Sequence, residues 1–585
     1  MPVIYKLIEK VLIERETLWL HDASVISPIQ SAGQPQCSSL HTSFLSQEAI
    51  AHYINKNATV YKLFLDAQKA FDTVWVKGLL YKLHMKGINM KTWRLIQNGY
   101  NNFECAVFIG NVTGEWFYIE RGVHQGSPFS MWLYMIFVND LIEELGSSGY
   151  GISINETRIT SPGHADDIAI MAIYKKCMNI LLERALDYTR KWQYMYNESK
   201  TYFMVFGPDK EPHVVIQMGG VPIQVVSSYK HVGVTLCTNS ISMKQAVSKR
   251  INTAQGKLLA ARGIGSHTVP TPVSVMNKIY WSVVIPSLIY GYDVQPLEEC
   301  DVIKLENAHR KNAKIVMNVS QQVATPAPLA PLGWLSMKAL LLMSRILFMM
   351  RLLCMNTDNV YKQILLFRLD YIIINGYTRR AHRSPVDCMY EAAEYFGLLD
   401  KLIPCVQMRD FGGILEWKKI VKQKVWAQEH VMWEATCFLY DSLNVYRNAI
   451  TGIKLHTWWI VANYCPSLTK KVASLMSVLM GSQPVGKLCN FKSKLCRLCK
   501  ARKIESPLHV LYGCTELGIV RYRLHVTVMN AMPNTMREHY SNMIVEQKMS
   551  FLLSAMNVEF TSEWINTYRC ISMSVNEMYT VMYVN

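Results

Sequence analysis

The fold of this chain is decided by the stretch PGHADDIAIM, residues 162–171. Two adjacent aspartates, Asp166 and Asp167, stand between a Pro-Gly turn and an apolar run, which is typical of a β-hairpin with carboxylates at its tip. A third aspartate, Asp66, follows VYKLFL, residues 60–65, which predicts a neighbouring strand. Three carboxylates brought together repel one another unless cations lie between them. The pattern therefore predicts a site for two Mg²⁺ ions, which can activate a 3′-hydroxyl and stabilise a leaving pyrophosphate.

The composition indicates an ordered, basic protein with several domains. The chain has 585 residues, of which 50% are hydrophobic, so global disorder is excluded. Its 61 Lys and Arg residues exceed its 44 Asp and Glu residues, and the net charge of +17 favours a partner with a phosphate backbone. The 15 cysteines are scattered, which favours a reducing intracellular compartment, either the nucleus or the cytoplasm. Residues 339–355 are the most apolar stretch, but Arg345 and Arg351 predict a buried amphipathic helix rather than a membrane span.

The order of the predicted elements indicates an α+β fold with a long helical region behind it. Residues 1–58 predict two helices around a loop. Residues 60–236 predict short strands and helices, with the helices packed on one side of a largely antiparallel sheet. From residue 242 to about residue 480 the periodicity is helical and is interrupted by prolines.

A glycine-rich loop precedes one of the predicted helices. Its sequence is RGVHQGSPFS, residues 121–130. Glycines on both sides of Gln125 let the backbone approach a flat partner, and the glutamine can hydrogen-bond to a sugar, a base or a phosphate. Ser127 and Pro128 suit the first turn of the helix. Taken alone, an ordinary loop that caps a helix explains this segment equally well.

Taken together and in order, these segments resemble the reverse transcriptases of non-LTR (LINE-type) retrotransposons. The resemblance rests on LFLDAQKAFD at 63–72, RGVHQGSPFS at 121–130, HADD at 164–167, NESK at 197–200 and YKHVGV at 229–234. It extends from about residue 25 to residue 236 and continues more weakly through PSLIYG at 286–291.

The resemblance implies a right-hand polymerase that extends a DNA primer on an RNA template by two-metal nucleotidyl transfer. Its expected partners are template RNA, primer or target DNA, and dNTPs. The implied domains are partial fingers at 1–59, a palm with interleaved fingers at 60–241, a helical thumb at 242–335, a helical connector at 336–484, a zinc-knuckle-like segment at 485–530 and a helical tail at 531–585.

The resemblance also implies roles for single residues. Asp66, Asp166 and Asp167 match the metal-binding and catalytic carboxylates. Phe71 matches the bulky residue that excludes a 2′-hydroxyl, with a core aromatic as the alternative. Lys200 matches a lysine proposed to protonate the pyrophosphate, with a solvated surface lysine as the alternative. The other matches are Arg121, Gln125 and Gly126 in the nucleotide pocket and Tyr229, Lys230 and Gly233 in the primer grip.

A candidate zinc site lies towards the C-terminus. Its residues are Cys496, Cys499, His509 and Cys514, with the spacing Cys-x2-Cys-x9-His-x4-Cys. Thiolate and imidazole ligands at such separations can form a closed tetrahedral Zn²⁺ site with a structural role. The surrounding basic residues suit contacts to a nucleic-acid backbone, and they are Lys492, Lys494, Arg497, Lys500, Arg502 and Lys503. Four unrelated residues remain the alternative, and Cys489 is close enough to replace one ligand.

Some positions depart from the family pattern. His164 stands where the family usually has Tyr or Phe, and His124 and Ser127 replace residues that are more often charged. The usual Gly-Phe-Arg is absent around Gly33. The sequence is expected to lack the endonuclease domain and the first fingers segment, which carries a cation for the triphosphate. An inactive nucleic-acid-binding remnant therefore stays an alternative function. An RNA-directed RNA polymerase is a further alternative, against which Phe71 argues.

Overall fold

The computed structural model places most of the chain. It describes residues 3–22, 25–101, 104–263, 271–482, 495–496, 498–499, 501, 503, 509–554 and 562–584. The chain divides into two compact units. The first consists of residues 1–246, 290–297 and 344–421, and the second consists of residues 247–289, 298–343 and 422–585. Each unit therefore combines stretches that are far apart in sequence. The predicted polymerase subdomains stay predictions, because these units do not define palm, fingers or thumb.

The described strands all belong to the first unit. They are β1 (Val60–Leu65), β2 (Glu104–Cys105), β3 (Phe108–Ile109), β4 (Val112–Thr113), β5 (Phe117–Tyr118), β6 (Ser153–Ile154), β7 (Thr157–Arg158), β8 (Gly163–His164), β9 (Asp167–Ala172), β10 (Tyr202–Phe206), β11 (Gln217–Met218), β12 (Val221–Pro222), β13 (Gln224–Val225), β14 (Ser228–His231) and β15 (Val234–Cys237). A central five-stranded sheet has the order β13-β10-β1-β9-β8 and is antiparallel except for the parallel pair β10–β13. The predicted strands at 60–65 and 202–206 and the predicted hairpin at 162–171 are confirmed.

Helices make up most of the rest. The helices up to the end of the central sheet are α1 (Val3–Arg15), α2 (Thr17–Leu20), α3 (Ser39–Ile54), α4 (Val76–Met85), α5 (Met90–Tyr100), α6 (Ser130–Ser147) and α7 (Lys175–Trp192). Those after it are α8 (Ser240–Gly263), α9 (Val273–Ile279), α10 (Ile285–Ile289), α11 (Glu299–Met317), α12 (Met337–Leu353), α13 (Val360–Asn375), α14 (Pro385–Tyr395), α15 (Leu399–Met408), α16 (Ile414–Phe438), α17 (Asn444–Ala449), α18 (Thr457–Tyr464), α19 (Thr469–Leu479), α20 (Gly518–Ala531), α21 (Asn534–Asn542), α22 (Val545–Ser554) and α23 (Ser562–Val584). The chain is thus a helix-rich α+β protein, as predicted.

The prediction that helices cover one side of the sheet is wrong. All six residues of β1 are buried. On one face, Val60 and Phe64 pack in a core cluster with Ile50 of α3. On the other face, the ring of Tyr61 lies 5.6 Å from the ammonium of Lys175, at the start of α7. The physical reason is that VYKLFL carries apolar side chains on both faces of the strand, with Lys62 the one charged residue among them, so burial of only one face would leave apolar surface in water.

A buried ion pair joins distant segments of the first unit. Arg368 of α13 donates from Nε to a carboxylate oxygen of Glu48 in α3 at 2.6 Å, and both side chains are almost fully buried. The second carboxylate oxygen of Glu48 accepts from the backbone N–H of Val386 at 3.1 Å. A charge in this environment is costly unless it is paired and hydrogen-bonded, as it is here. Residues 344–421 are therefore bound into the same unit as the central sheet.

The apolar stretch at 339–355 is a buried helix rather than a membrane span. Arg345 of α12 donates to the carbonyl groups of Tyr292 and Gln295, both at 3.1 Å, which satisfies its guanidinium inside the protein. No helix within the described ranges has the length and apolar character that crossing a bilayer requires.

The second unit has an aromatic core. The rings of Tyr280 and Trp334 stack at 4.1 Å, and His309 hydrogen-bonds to the hydroxyl of Tyr280 at 2.6 Å. Trp458 of α18 is fully buried and donates to the carbonyl of Leu553 at 2.7 Å. The helical character predicted from residue 242 onwards is confirmed for the described residues.

Candidate active site

The central sheet brings two of the three predicted aspartates side by side. The antiparallel register of β1 and β9 pairs Leu65 with Ile168, so the next residues, Asp66 and Asp167, face each other at the end of this ladder. The register of β8 and β9 pairs His164 with Asp167, which leaves Asp166 in the turn. Because directly opposite residues point to the same face of a sheet, the carboxylates of Asp66 and Asp167 lie on one side.

The turn that carries Asp166 is held by a residue that the sequence did not reveal. Ala165 has a positive φ of 56°, which is unfavourable for a residue with a side chain. The buried side chain of Gln30 accepts from the N–H of Ala165 at 3.0 Å and donates to its carbonyl at 3.3 Å. Next to it, Ser31 hydrogen-bonds through its hydroxyl to Nδ1 of His164 at 2.8 Å. No local pattern marks Gln30, because its partners lie far away in the sequence.

Crowding of negative charge shows in the ionisation of the carboxyl groups. Burial raises the pKa of Asp167 to about 6, and the charges of Asp166 and Asp66 add to the shift. Burial also raises the pKa of Asp166, with a further contribution from Asp66. Both side chains nevertheless keep solvent-exposed surface, so the cluster is open to a ligand. A cluster that disfavours its own negative charge fits divalent cations, which prefer oxygen ligands.

Lys200 lies beside the aspartates. Its ammonium is 3.9 Å from a carboxylate oxygen of Asp66, and its side chain is 65% exposed. The short 3₁₀ turn Glu198–Lys200 is capped by the side chain of Asn197, which accepts from the N–H of Ser199 at 3.1 Å. The N–H of Asn197 in turn donates to the carbonyl of Asp66 at 2.7 Å. This chain of contacts fixes the turn that presents Lys200 to the site.

Phe71 has a rigid support behind it. Its partly exposed ring stacks on the ring of Tyr134 in α6 at 4.9 Å, with 16° between the ring planes. Tyr134 is fully buried, and its hydroxyl hydrogen-bonds to that of Tyr194 at 2.8 Å. Phe71 is therefore neither a plain core residue nor a free surface ring, because one face is packed while the side chain still reaches solvent.

The predicted nucleotide loop packs against the segment that follows Asp66. Gln125 is exposed and donates to the carboxylate of Asp72 at 2.7 Å. Gly122, with a φ of 99°, approaches the backbone of Asp72 so closely that an added Cβ would lie 3.0 Å from it. Gly126 has a φ of 77°, and the ammonium of Lys6 in α1 lies 3.9 Å from the position that its Cβ would take. The ammonium of Lys6 therefore lies close to this loop.

Arg121 and Ser127 of the same loop each hydrogen-bond to a neighbouring segment. The exposed Arg121 donates to the side chain of Gln193 at 2.8 Å, and its predicted place in the nucleotide pocket stays a prediction. The hydroxyl of Ser127 accepts from the N–H groups of Phe129 and Ser130 at 3.2 and 3.1 Å, but α6 begins at Ser130 with Phe129 in the N-cap position, so the predicted helix start at Ser127 and Pro128 is too early.

The predicted primer grip is a hairpin close to the carboxylates. β14 and β15 pair across a turn in which Gly233 has a φ of 81°. The ring of Tyr229 packs 4.3 Å from the ring of Phe64, and burial followed by the charges of Asp167 and Asp66 raises its pKa to about 12. Lys230 is exposed. Tyr229 is thus close enough to the carboxylates to feel their charge.

The four predicted zinc ligands lie together in the second unit. The candidate ligand atoms of Cys496, Cys499, His509 and Cys514 are within 4.8 Å of one another, and all four residues are buried. The sulfurs of Cys496 and Cys514 are 3.9 Å apart, and the sulfur of Cys499 is 3.3 Å from Nε2 of His509. Tetrahedral Zn²⁺ with Zn–S bonds of about 2.3 Å places two sulfurs about 3.8 Å apart, so the group fits that ion.

The basic residues predicted around these ligands are described only in part. Lys503 is exposed. The other predicted basic residues and the alternative ligand lie outside the described residues, namely Lys492, Lys494, Arg497, Lys500, Arg502 and Cys489.

Known proteins are similar to the part of the chain that holds the three carboxylates. Residues 1–236 match the family model described as reverse transcriptase (RNA-dependent DNA polymerase). The chain is 28% identical over 246 residues to the RNA-directed DNA polymerase from mobile element jockey of Drosophila funebris, covering 40% of this chain and 25% of that protein. It is 23% identical over 333 residues to the probable RNA-directed DNA polymerase from transposon X-element of Drosophila melanogaster, covering 54% of this chain and 35% of that one.

A third relative comes from another element. The Pol polyprotein from type-1 retrotransposable element R2 of Popillia japonica is 30% identical over 127 residues, covering 21% of each chain. The chain thus spans between a fifth and about a third of the length of these relatives. Residues 1–236 are a reverse transcriptase domain, and its relatives identify it as that of a non-LTR retrotransposon.

Proposed function

We propose that this chain is an RNA-directed DNA polymerase that extends a DNA primer on an RNA template with dNTPs. The observation that carries the proposal is the adjacency of Asp66 and Asp167 across the β1–β9 ladder, with Asp166 in the neighbouring turn. These three carboxylates would hold two Mg²⁺ ions, which when bound supply activation of the primer 3′-hydroxyl and neutralisation of the charge on the leaving pyrophosphate.

The other residues position the reactants. Phe71 would exclude a 2′-hydroxyl, since its support by Tyr134 leaves little freedom to move aside. Lys200 would hold a proton beside Asp66, where the pyrophosphate leaves. Gln125 and Gly126 would contact the nucleotide and template, and Lys6 would supply a positive charge for the triphosphate. Lys6 therefore favours the active polymerase over the inactive remnant, because a cation lies close to the predicted nucleotide loop.

Primer and duplex contacts would involve two further elements. The hairpin of β14 and β15, with Tyr229, Lys230 and Gly233, would hold the primer end. Helix α8 has five basic residues and no Asp or Glu over its 24 residues, and we assign it to the thumb as a contact for the duplex backbone. The group of Cys496, Cys499, His509 and Cys514 would bind one structural Zn²⁺, since four protein ligands leave no open position for catalysis.

The test is primer extension on poly(rA) with an oligo(dT) primer in Mg²⁺ or Mn²⁺. The wild type should extend the primer, and Asp166→Ala should not, while both bind RNA equally. Asp187→Ala is the matched control, because it removes an exposed aspartate of α7 whose described ion pair is with Arg190 on the surface. If the wild type binds RNA tightly but extends nothing, the chain is the inactive remnant. If Asp166→Ala extends as well as the wild type, the metal-site assignment is wrong.

A further inference from the structure

A basic surface lies in the first unit at the end of the central sheet opposite to the carboxylates. β1 has six residues and runs from Val60 towards Asp66. At a rise of about 3.3 Å per residue, about 20 Å of strand separates the two ends. The turn formed by residues 55–57 stands just before the start of β1. Ligands bound at this turn would therefore lie far from the site of catalysis.

Three chain segments meet at this turn. The side-chain amide of Asn55 donates to the carbonyl of His382 at 2.8 Å, which fastens the segment between α13 and α14. The ammonium of Lys210 donates to the carbonyl of Asn57. Lys56 lies between these two anchor points and is exposed. We call the group formed by Lys56, Lys210, Tyr371, Arg379, Arg380 and His382 the Arg380 surface.

The Arg380 surface carries concentrated positive charge. Residues 371–386 contain three arginines and no Asp or Glu. Arg383 is used within the fold, where it donates to the carboxylate of Glu391 at 3.2 Å. Nε of Arg379 lies 3.9 Å from the same carboxylate, but the side chain of Arg379 is 68% exposed. Most of its surface is therefore accessible to a ligand. Burial, followed by the charges of Lys56, Arg368 and Arg380, lowers the pKa of the nearby His52 to about 4, which is consistent with several cations close together.

Exposed apolar side chains are interleaved with these charges. Tyr371 is 47% exposed and Ile374 is 80% exposed, although both belong to a helix whose other side is buried. The guanidinium of Arg380 lies 5.2 Å from the centre of the Tyr371 ring. Such a ring beside a guanidinium offers flat surfaces on which an unpaired base can stack, while the cations contact phosphates. A duplex keeps its bases stacked inside and cannot use these rings.

We propose that the Arg380 surface binds single-stranded RNA upstream or downstream of the catalytic site. The choice of RNA rests on the proposed function, because a polymerase that copies RNA must hold an unpaired template strand. At about 3.4 Å per stacked nucleotide, the distance from the carboxylates corresponds to about six nucleotides. The surface would keep the RNA attached while the primer end moves through the active site.

The experiment measures equilibrium binding of an unstructured RNA of about 20 nucleotides, longer than the site of a typical single-strand-binding fold. All variants carry Asp166→Ala and are measured without dNTPs, so the result does not depend on catalysis. The combined variant Arg379→Ala/Arg380→Ala should bind the RNA about tenfold more weakly at about 0.1 M salt. The plot of log affinity against log salt should become shallower by about 1.4, which is about 0.7 for each lost phosphate contact on a single strand.

Tyr371 separates stacking from charge. Tyr371→Ala should weaken binding by about 5- to 100-fold without a change in the salt slope, and Tyr371→Phe, which keeps the ring, should bind like the parent. The matched control for charge is Lys418→Ala/Lys419→Ala, an exposed basic pair at the start of α16 in the same unit. It should leave affinity within about twofold, since charges that contact no phosphate contribute little at this salt concentration.

Three results would overturn the proposal. The first is a loss in the arginine variant that is no larger than in the lysine control. The second is an equal loss of affinity for duplex DNA of the same length in the arginine variant, which would indicate a surface that binds any polyanion. The third is an unchanged affinity in Tyr371→Ala. Since extension by the wild type is measured separately, failure of this proposal and failure of the proposed polymerase activity are distinguishable.

Discussion

Gln30 offers the sharpest test of how the active site is built. Its side chain makes two hydrogen bonds to Ala165, one to the N–H at 3.0 Å and one to the carbonyl at 3.3 Å, and its oxygen also accepts from the N–H of Ala32 at 3.4 Å. Gln30 is fully buried and Ala165 is 8% exposed, so water cannot replace the lost partner. The change Gln30→Leu keeps the approximate volume of the side chain and removes all three bonds. It should therefore release the turn that carries Asp166 without touching any reactant.

The magnitude follows mainly from the two backbone groups of Ala165 that lose their partners, because the bond from the Ala32 N–H is the longest of the three. A buried backbone group without a hydrogen bond costs about 1–3 kcal/mol, so two of them cost about 2–6 kcal/mol if the turn stays in place. The positive φ of Ala165 already costs about 1–2 kcal/mol, which the turn can recover by relaxing. We therefore expect the turn to move, and a displacement of about 1 Å at a reacting group can lower the rate about 100-fold. The loss should appear mainly in kcat, since Gln30 contacts no substrate.

The assay is steady-state extension of a primed RNA by single nucleotides, together with thermal unfolding. Gln34→Leu is the matched control, because the side chain of Gln34 donates to the carbonyl of Ser27 at 3.1 Å and has no described bond to the turn. Adding Ala165→Gly to Gln30→Leu should restore part of the activity, because glycine accepts a positive φ without cost. The reasoning is refuted if Gln30→Leu keeps kcat within about threefold of the wild type, or loses no more than Gln34→Leu.

Four other outcomes are expected. Phe71→Val should raise the use of ribonucleotides relative to deoxynucleotides by roughly 10- to 200-fold in competitive single-nucleotide extension, and unchanged selectivity would contradict the gate. Extension in Mg²⁺ should fall as the pH is lowered through about 6, because Asp167, with its pKa raised to about 6, must lose its proton to bind a cation. A higher Mg²⁺ concentration should move the midpoint of this pH profile to lower pH. A midpoint that does not depend on Mg²⁺ would count against Asp167 as a ligand. Cys499→Ser should lower the zinc content measured by atomic absorption and increase proteolysis near residues 495–514, whereas a full complement of zinc in the variant would exclude the site. Arg368→Met should lower the free energy of unfolding by about 3–5 kcal/mol in urea titrations, since it leaves Glu48 buried and unpaired, and a loss below about 1 kcal/mol would show that water reaches this carboxylate.

The sequence predicted those parts of the fold that depend on local patterns. The bounds of β1 and β10 follow from short apolar runs. Helix α4 ends just before Gly87, which has a φ of 77°. The aspartates were found because their residue type and order are distinctive. Whether Asp66 and Asp167 would meet depends on the register of two strands, and that register follows from burial of Phe64 and Ala169 in one core.

The rest depends on contacts between distant segments. Gln30 carries no local signal, and its role exists only because residues 29–31 lie beside the hairpin of the aspartates. The Arg380 surface likewise combines residues from three separate stretches. The expectation of a one-sided sheet failed because the sequence of β1 shows that both faces are apolar but does not show what covers them. Long-range packing decides each of these features, and single-sequence periodicity does not report it.

The Glu48–Arg368 pair has a consequence for how the chain is made. Residues 1–236 match the reverse transcriptase family, yet one of their buried carboxylates is neutralised only by an arginine that the ribosome adds long afterwards. At about 5–20 residues per second, this delay is on the order of 10 s. During that interval the face of α3 that carries Glu48 stays uncovered, including the ring of Phe44 that later packs 6.1 Å from that of Phe348, and chaperones have an opportunity to bind its apolar side chains. Fragments that end at residue 236 lack the segment 344–421 that covers this face, and they should therefore aggregate, as sedimentation of the purified fragments would show.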